Sequence, residues 1–263
     1  MNCPFIFGCL PRPGLVAYCS RAVILSLGPD GIADLLTRLY QRVRLWVRAR
    51  RAYRKSFVKE FGELELPLLR HIVPHRVSVD VGANKGLFVF FLRKYSKAVI
   101  AIEANQFLFD GLSRTQYPEV TYICAAAASA QGTSVLLVPK SHGQLNRNVG
   151  SLKANPKFAE SEEIAVPTVR IDDVARGLDV GFIKVDTEGT ELDVILGALE
   201  VIRACRPVLF IEVLDKLSAE SVKLFALILQ MNYVAAEYRN RRLVICGSLD
   251  GIKNRNVIFL PVS

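Results

Sequence analysis

The sequence predicts an α/β fold in which a mostly parallel sheet is covered by helices on both faces, and three observations carry that expectation. From residue 76 onward, short β-branched runs alternate with helical stretches. Such alternation builds βαβ units, whose crossovers place helices on the faces of the sheet. Apolar residues make up 51% of the 263-residue chain, enough for a large core. A glycine turn, V-S-V-D-V-G-A-N-K-G over 77–86, leads from a strand into a helix, and open α/β sheets bind ligands at such strand ends.

The elements follow in order. Residues 1–34 are apolar, punctuated by Pro and Gly without a sustained period, and weak order is expected there. Residues 35–75 read as a basic amphipathic helical extension. Leu35, Leu39, Val43, Trp46 and Val47 recur at helical spacing, and the cations between Arg38 and Lys59 meet no acid until Glu60. A helix of this kind suits peripheral contact with an anionic membrane through residues 38–59. It equally suits packing on the domain as an ordinary solvated helix, the simpler of the two readings. Residues 76–263 form the main domain. Strands are predicted at 76–81, 98–102, 120–124, 181–185 and 208–213, with helices at 85–94, 107–115, 191–204 and 219–230. Extended pieces at 135–138 and 164–169 flank a polar loop over 141–156. Strands at 233–237, 243–246 and 257–260, with little helix between them, predict an antiparallel finish to a seven-stranded sheet.

Charge and cysteines narrow the classes. The net charge of +9 is concentrated in residues 1–75, where 12 Lys+Arg face 5 Asp+Glu; residues 76–263 hold 22 against 20. The basicity therefore says little about what the sheet domain binds. None of the six cysteines stands in C-x-x-C spacing, so neither a zinc site nor a disulfide framework is predicted. The most apolar N-terminal run, 14–28, is interrupted by Arg21 and is shorter than the ~20 residues a bilayer span needs. With Pro4 and Pro11 and no early cation, the start of the chain is also a poor signal peptide. A cytoplasmic protein, soluble or peripheral to a membrane, is the expectation.

The glycine turn indicates the ligand class. Gly82 allows the tight turn and Gly86 the approach of the next helix, but Asn84 stands where a dinucleotide fingerprint has its central glycine. Asp80, just before the turn, disfavours a pyrophosphate and suits a cationic ligand. Glu103, ending the second strand in A-I-E-A-N, stands about 20 residues further on, where an acid accepts hydrogen bonds from ribose hydroxyls. Together these residues favour S-adenosylmethionine over a nicotinamide cofactor. The plainer alternative makes Asp80 a helix cap and Glu103 a solvated strand end.

A second group of carboxylates lies further along. G-F-I-K-V-D-T-E-G-T-E carries Asp186 and Glu188 at the end of a buried strand, and V-L-F-I-E-V carries Glu212 at the end of the next. Carboxylates converging on one rim are costly unless they meet a cation, share a proton or stay hydrated.

In order and spacing, V-D-V-G-A-N-K-G, A-I-E-A-N, R-I-D-D-V, F-I-K-V-D-T-E-G-T-E-L-D-V-I-L-G-A and P-V-L-F-I-E-V resemble FkbM-type methyltransferases over roughly residues 76–237. The resemblance implies a class I methyltransferase fold and O-methylation of a sugar, glycolipid, polyketide or related acceptor. It places Asp80, Gly82, Asn84, Gly86 and Glu103 at the cofactor, with the backbone near Ala126 at the adenine. Asp186 and Glu188 would face the reacting centre, and Asn148, Ser151 and Glu212 the acceptor. Ala104 stands where the family often has Pro.

For the base that takes the acceptor's proton, Asp186 or Glu188 is the leading candidate and His142, in the polar loop, the rival. The plainer role for Glu188 is helix capping. A divalent metal held by Asp186 and Glu212 is a further option that is not favoured. The alternative function is an RNA methyltransferase that holds nucleic acid on the basic helix. It is disfavoured because D-T-E-G replaces the Asn/Asp-Pro-Pro-aromatic turn of amino-directed enzymes.

Overall fold

A computed structural model describes residues 29–55, 65–141, 144–145, 150, 152, 160–240 and 242–262. A long helix α1 (Pro29–Lys55) and one turn α2 (Leu69–Ile72) precede the sheet domain. Then come β1 (Val77–Val81), α3 (Leu87–Tyr95), β2 (Ala98–Glu103), α4 (Gln106–Ser113), β3 (Val120–Cys124), β4 (Ala126–Ala127), β5 (Gly132–Ser141), β6 (Gln144–Leu145) and β7 (Ser161–Val169). The chain continues through α5 (Ile171–Val174), β8 (Val180–Val185), α6 (Glu191–Leu196), α7 (Leu199–Cys205), β9 (Val208–Glu212), α8 (Ala219–Gln230), β10 (Tyr233–Arg239), β11 (Arg242–Cys246) and β12 (Asn256–Pro261).

The main sheet runs β11-β10-β12-β9-β8-β1-β2-β3. Its five strands from β9 to β3 are parallel, while β12 lies antiparallel between β9 and β10. The order reverses between β1 and β8, which opens a crevice at their carboxyl ends. The sheet has eight strands rather than the expected seven: the strand predicted at 243–246 is present as β11 and joins the sheet as an edge hairpin on β10. Asn240, at φ 52°, makes the sharp turn there, a conformation Asn tolerates better than most residues. The pieces at 135–138 and 164–169 belong to the β5–β7 antiparallel pair of a separate four-stranded sheet.

Alternate residues of each strand feed two cores. On one face Val79, Val81, Ile183, Val185, Leu209 and Ile211 pack with residues of α6, α7 and α8. On the other, Phe182, Phe210, Val99 and Ala101 pack with Phe88, Phe91 and Leu92 of α3. Because both faces are covered, the central strands read as continuous apolar runs.

Helix α1 belongs to this second core. It starts at Pro29, six residues before the predicted boundary, with Asp30 in its first turn; Pro is well suited to the first helical position and an acid to the first turn. Its buried face is Leu45 and Ala49, extended by Arg42, which donates to the Thr115 and Gln116 carbonyls. The predicted stripe is rotated relative to this face: Val43, with Leu36 and Tyr40, is exposed. Residues 1–28 and 56–64, where weak order and the rest of the helical extension were expected, lie outside the described residues. Among the described residues no helix is long and apolar enough to cross a membrane.

The helix predicted over 191–204 is two helices, α6 and α7, broken at Gly197. A Cβ at Gly197 would lie 2.0 Å from the Ala128 carbonyl oxygen, so the break brings two backbones together.

Candidate active site

The site begins in the strand register. Asp80 of β1 pairs laterally with Lys184 of β8, so both side chains point to the face covered by α3. Lys184 is buried, and its Nζ lies 3.4 Å from Asp80, 3.1 Å from Asp186 and 3.2 Å from the Gly82 carbonyl it donates to. The Phe88 ring covers it at 4.9 Å. One ammonium group thus binds the strand end, the glycine turn and the loop after β8.

This arrangement redefines Asp80. It is fully buried and outside the cavity wall, facing Lys184 instead of a ligand. Burial raises its carboxyl above the ordinary range, opposed by the Lys184 charge. Gly86 is likewise outside the cavity: at φ 79° it starts α3, and a Cβ there would lie 2.5 Å from the Leu112 side chain. Gly82 does line the cavity. At φ 71° it brings its backbone against Asp186, whose carbonyl oxygen would be 1.9 Å from an added Cβ.

The cavity, of 180 Å³, lies over the β1–β8 reversal. One wall is the turn: Gly82, Asn84 and Glu103. The Glu103 carboxylate is buried and accepts from the backbone N–H groups of Asn84 (2.6 Å) and Asn105 (2.8 Å). Burial raises its pKa and those two bonds oppose the rise. Asn84, at φ 50°, holds the turn open. A second wall is apolar, from Leu108, Ala126, Leu136 and Leu152. The third is the loop after β8, with Asp186, Glu188 and Thr190.

Glu188 has φ 58° and Gly189 φ 111°, an unusual backbone for a glutamate. Among the described residues no side chain caps α6; Glu191, its first residue, ties down the preceding loop by accepting from the Gly189 N–H at 2.8 Å and from the Thr187 hydroxyl at 3.2 Å. Glu188 itself stands at the exposed mouth of the cavity.

Asp186 and Glu212 form a hydrogen-bonded carboxyl pair at the rim. For Asp186, burial acts upward, but the Lys184 charge and the bond from Glu212 outweigh it and hold the carboxyl below its ordinary value. Glu212 is pushed up to about 8 by burial, by its bond to Asp186 and by the charges of Asp186 and Glu188. The two carboxyls therefore titrate as a coupled pair, with Glu212 shifted up and Asp186 shifted down.

Lys184 and Thr190 are two residues of this candidate site that sequence reasoning did not single out. A lysine inside the apolar run F-I-K-V was the available signal, since a buried cation demands partners. Thr190 gave none: its hydroxyl is buried in the cavity wall and has no hydrogen-bond partner among the described residues. His142, Asn148 and Ser151 lie outside the described residues. Among the described residues, no three His, Cys, Asp or Glu side chains cluster as a metal site would need.

The strand order, the glycine turn at the reversal and the acid ending β2 define a class I methyltransferase domain. A family model described as the methyltransferase FkbM domain matches residues 80–239. The chain belongs to the FkbM methyltransferase family.

Among solved structures, a methyltransferase FkbM from Methylobacillus flagellatus KT is similar over 70% of this chain and 43% of its own, at 16% identity and TM-score 0.45. This chain thus spans less than half the length of that relative. An rRNA methylase from Streptococcus thermophilus is similar over 76% of this chain and 95% of its own, at 13% identity and TM-score 0.43. A SAM-dependent O-methyltransferase from Thermotoga maritima is similar over 77% and 66%, at 9% identity and TM-score 0.39. Likeness at this level says nothing about the acceptor. No curated protein matches the sequence significantly.

The residues present fit the family's cofactor, S-adenosylmethionine. The carboxylates of Glu103, Asp186 and Glu188 suit a cationic ligand with ribose hydroxyls, the Leu108–Ala126–Leu136 wall suits an adenine, and the unpartnered Thr190 hydroxyl awaits a polar atom.

Proposed function

We propose that this protein transfers a methyl group from S-adenosylmethionine to a hydroxyl of a small molecule such as a sugar, glycolipid or polyketide. The observation that carries the reading is the placement of Asp186 and Glu188 in the wall of the cavity over the β1–β8 reversal, with Lys184 3.1 Å from Asp186, and with Glu212, whose carboxyl is pushed up to about 8, at the end of the next strand. A base is most effective when its conjugate acid titrates near the working pH, and an acceptor hydroxyl must lose a proton.

When bound, S-adenosylmethionine supplies an electrophilic methyl group. The protein would bind and orient it: Glu103 would hold the ribose hydroxyls and the backbone at Ala126 the adenine. Orientation of two reactants accounts for ~7–11 kcal/mol in favourable cases. The acceptor's proton passes to the ionised Asp186–Glu212 pair. Lys184 acts as a positioning residue, keeping Asp186 charged and aimed at the cavity. Glu188 stands at the mouth, where the acceptor enters. The reading requires no metal, and the cytoplasm is the proposed compartment.

The alternative, an RNA methyltransferase, draws on the exposed Arg50 and Arg51 of α1. Two experiments separate the readings. Calorimetric titration with S-adenosylmethionine and NADH, with Glu103→Gln as control, should give binding of the first alone and weaker binding in the control. Release of S-adenosylhomocysteine is then followed from pH 6 to 9.5 with hydroxylated acceptors and with RNA. Turnover of a hydroxylated acceptor, rising to a plateau above about pH 8, is the expected result. Binding of NADH alone, or methylation of RNA that disappears in Arg50→Gln/Arg51→Gln, would defeat it.

A further inference from the structure

A second cavity, of 190 Å³, lies between α1, the glycine turn and α4, and its wall is cationic. Arg44 and Arg48 enter from α1 and Lys85 from the turn, beside Gln41, Phe107 and Leu108. No carboxylate among the described residues lines it. Among the described residues none of these three cations forms an ion pair. Holding α1 in place does not explain them. That work is done by Leu45 and Ala49, by Arg42 on the Thr115 and Gln116 carbonyls, and by Arg38, which donates to Gln116 and pairs with Asp34.

Arg44 and Arg48 are one helical turn apart and therefore side by side, an arrangement that destabilises a helix when the charges are alike. Burial, reinforced by the Arg44 charge, pushes the Arg48 guanidinium down; burial and then both arginines do the same to Lys85. Arg44 lies over the Tyr40 ring at 5.4 Å and both arginines reach solvent. Three like charges around one concavity, with no carboxylate paired to them among the described residues, still repel one another, and an anion would relieve that. We infer that this cavity is a binding site for a phosphate group, carried by a soluble small molecule or by a lipid headgroup. Two guanidinium forks match the several oxygens of a phosphate, and the lysine adds a point charge. Leu108 lines both cavities, and Lys85 follows Asn84 directly. A phosphate held here would therefore tether its carrier one side chain away from the cofactor turn. The assignment does not depend on which atom is methylated.

The test uses the full chain and inorganic pyrophosphate, titrated by calorimetry at low ionic strength, where such contacts are least screened. Saturable binding is expected. Arg48→Gln and Lys85→Gln should each weaken it by about tenfold or more, as loss of a charge-assisted contact does, while Arg51→Gln on the open face of α1 leaves it within about twofold. The unfolding midpoint should be unchanged or raised by Arg48→Gln and raised by pyrophosphate in the unsubstituted protein. Vesicles of phosphatidylcholine with and without phosphatidic acid identify the carrier. Phosphatidic-acid-dependent binding lost in Arg48→Gln assigns a lipid headgroup; no such binding, with pyrophosphate still bound, assigns a soluble phosphorylated compound. Absence of saturable pyrophosphate binding to folded protein would overturn the inference. So would equal weakening by Arg51→Gln, the behaviour of a diffuse basic face that holds any polyanion, RNA included.

Discussion

Replacing Lys184 by methionine removes the ammonium group and keeps most of the side chain's volume. Asp80 is then a fully buried carboxylate that has lost its one charge partner among the described residues. Breaking a buried pair from one side costs about 3–5 kcal/mol. Asp186 adds little to that figure, because its side chain is 38% exposed and can be hydrated instead. With a urea slope of ~3 kcal/mol per molar, the unfolding midpoint should fall by roughly 1–1.7 M.

The pH dependence gives the test its specificity. The Asp80 carboxyl is already raised by burial, and losing Lys184 raises it further. A folded-state value above the unfolded one means that the group's contribution is fully present at low pH and lost as pH rises. The deficit of Lys184→Met should therefore be largest near pH 8 and shrink towards pH 5. Adding Asp80→Asn should restore most of the stability at pH 8. Urea unfolding followed by circular dichroism at both pH values measures all of this. A deficit below about 1 kcal/mol, a deficit independent of pH, or no restoration by Asp80→Asn would refute the reasoning.

Three further outcomes follow from the site. Glu212→Gln should abolish the rise of turnover through about pH 8 and lower the rate at pH 9 by ~10²–10⁴-fold, the usual loss of a general base; an unchanged profile would remove the pair from proton transfer. Gly82→Ala adds a Cβ 1.9 Å from the Asp186 carbonyl at φ 71°, so S-adenosylmethionine affinity should drop by about tenfold or more, which calorimetry reads directly. Thr190→Val removes a buried hydroxyl with no partner among the described residues, so thermal stability should hold or rise while affinity for the cofactor or acceptor falls by ~0.5–1.5 kcal/mol. Loss of stability with intact affinity would make Thr190 a packing residue.

The parallel sheet was legible because its evidence is local and redundant. Runs such as V-S-V-D-V and F-I-K-V are rich in β-branched and aromatic residues and bounded by turns, and the observed strands Val77–Val81 and Val180–Val185 differ from expectation by one residue. Features that depend on what an element meets were harder to read. The α1 stripe at 35, 39 and 43 has helical spacing, yet tertiary contacts select Leu45 and Ala49 for burial. The break at Gly197 reflects the approach of Ala128, about 70 residues away in sequence, and no pattern within 191–204 encodes it.

The same division runs through the site. Gly82, Asn84 and Glu103 were identifiable because a turn and a strand-end acid at fixed spacing are one chain's local geometry. What surrounds Asp80 was not legible because it depends on lateral register: β1 and β8 set Asp80 beside Lys184, more than 100 positions later. That pairing also explains how several carboxylates coexist at one rim. Lys184 neutralises Asp80 and Asp186 together, and the Glu212 carboxyl is pushed up in part because Asp186 is held ionised beside it. The lysine inside the strand and the raised pKa at the rim are consequently one device. Removing the first should therefore shift the second: with the ammonium gone, Asp186 loses its main reason to stay charged, and the proton it shares with Glu212 is divided more evenly between them.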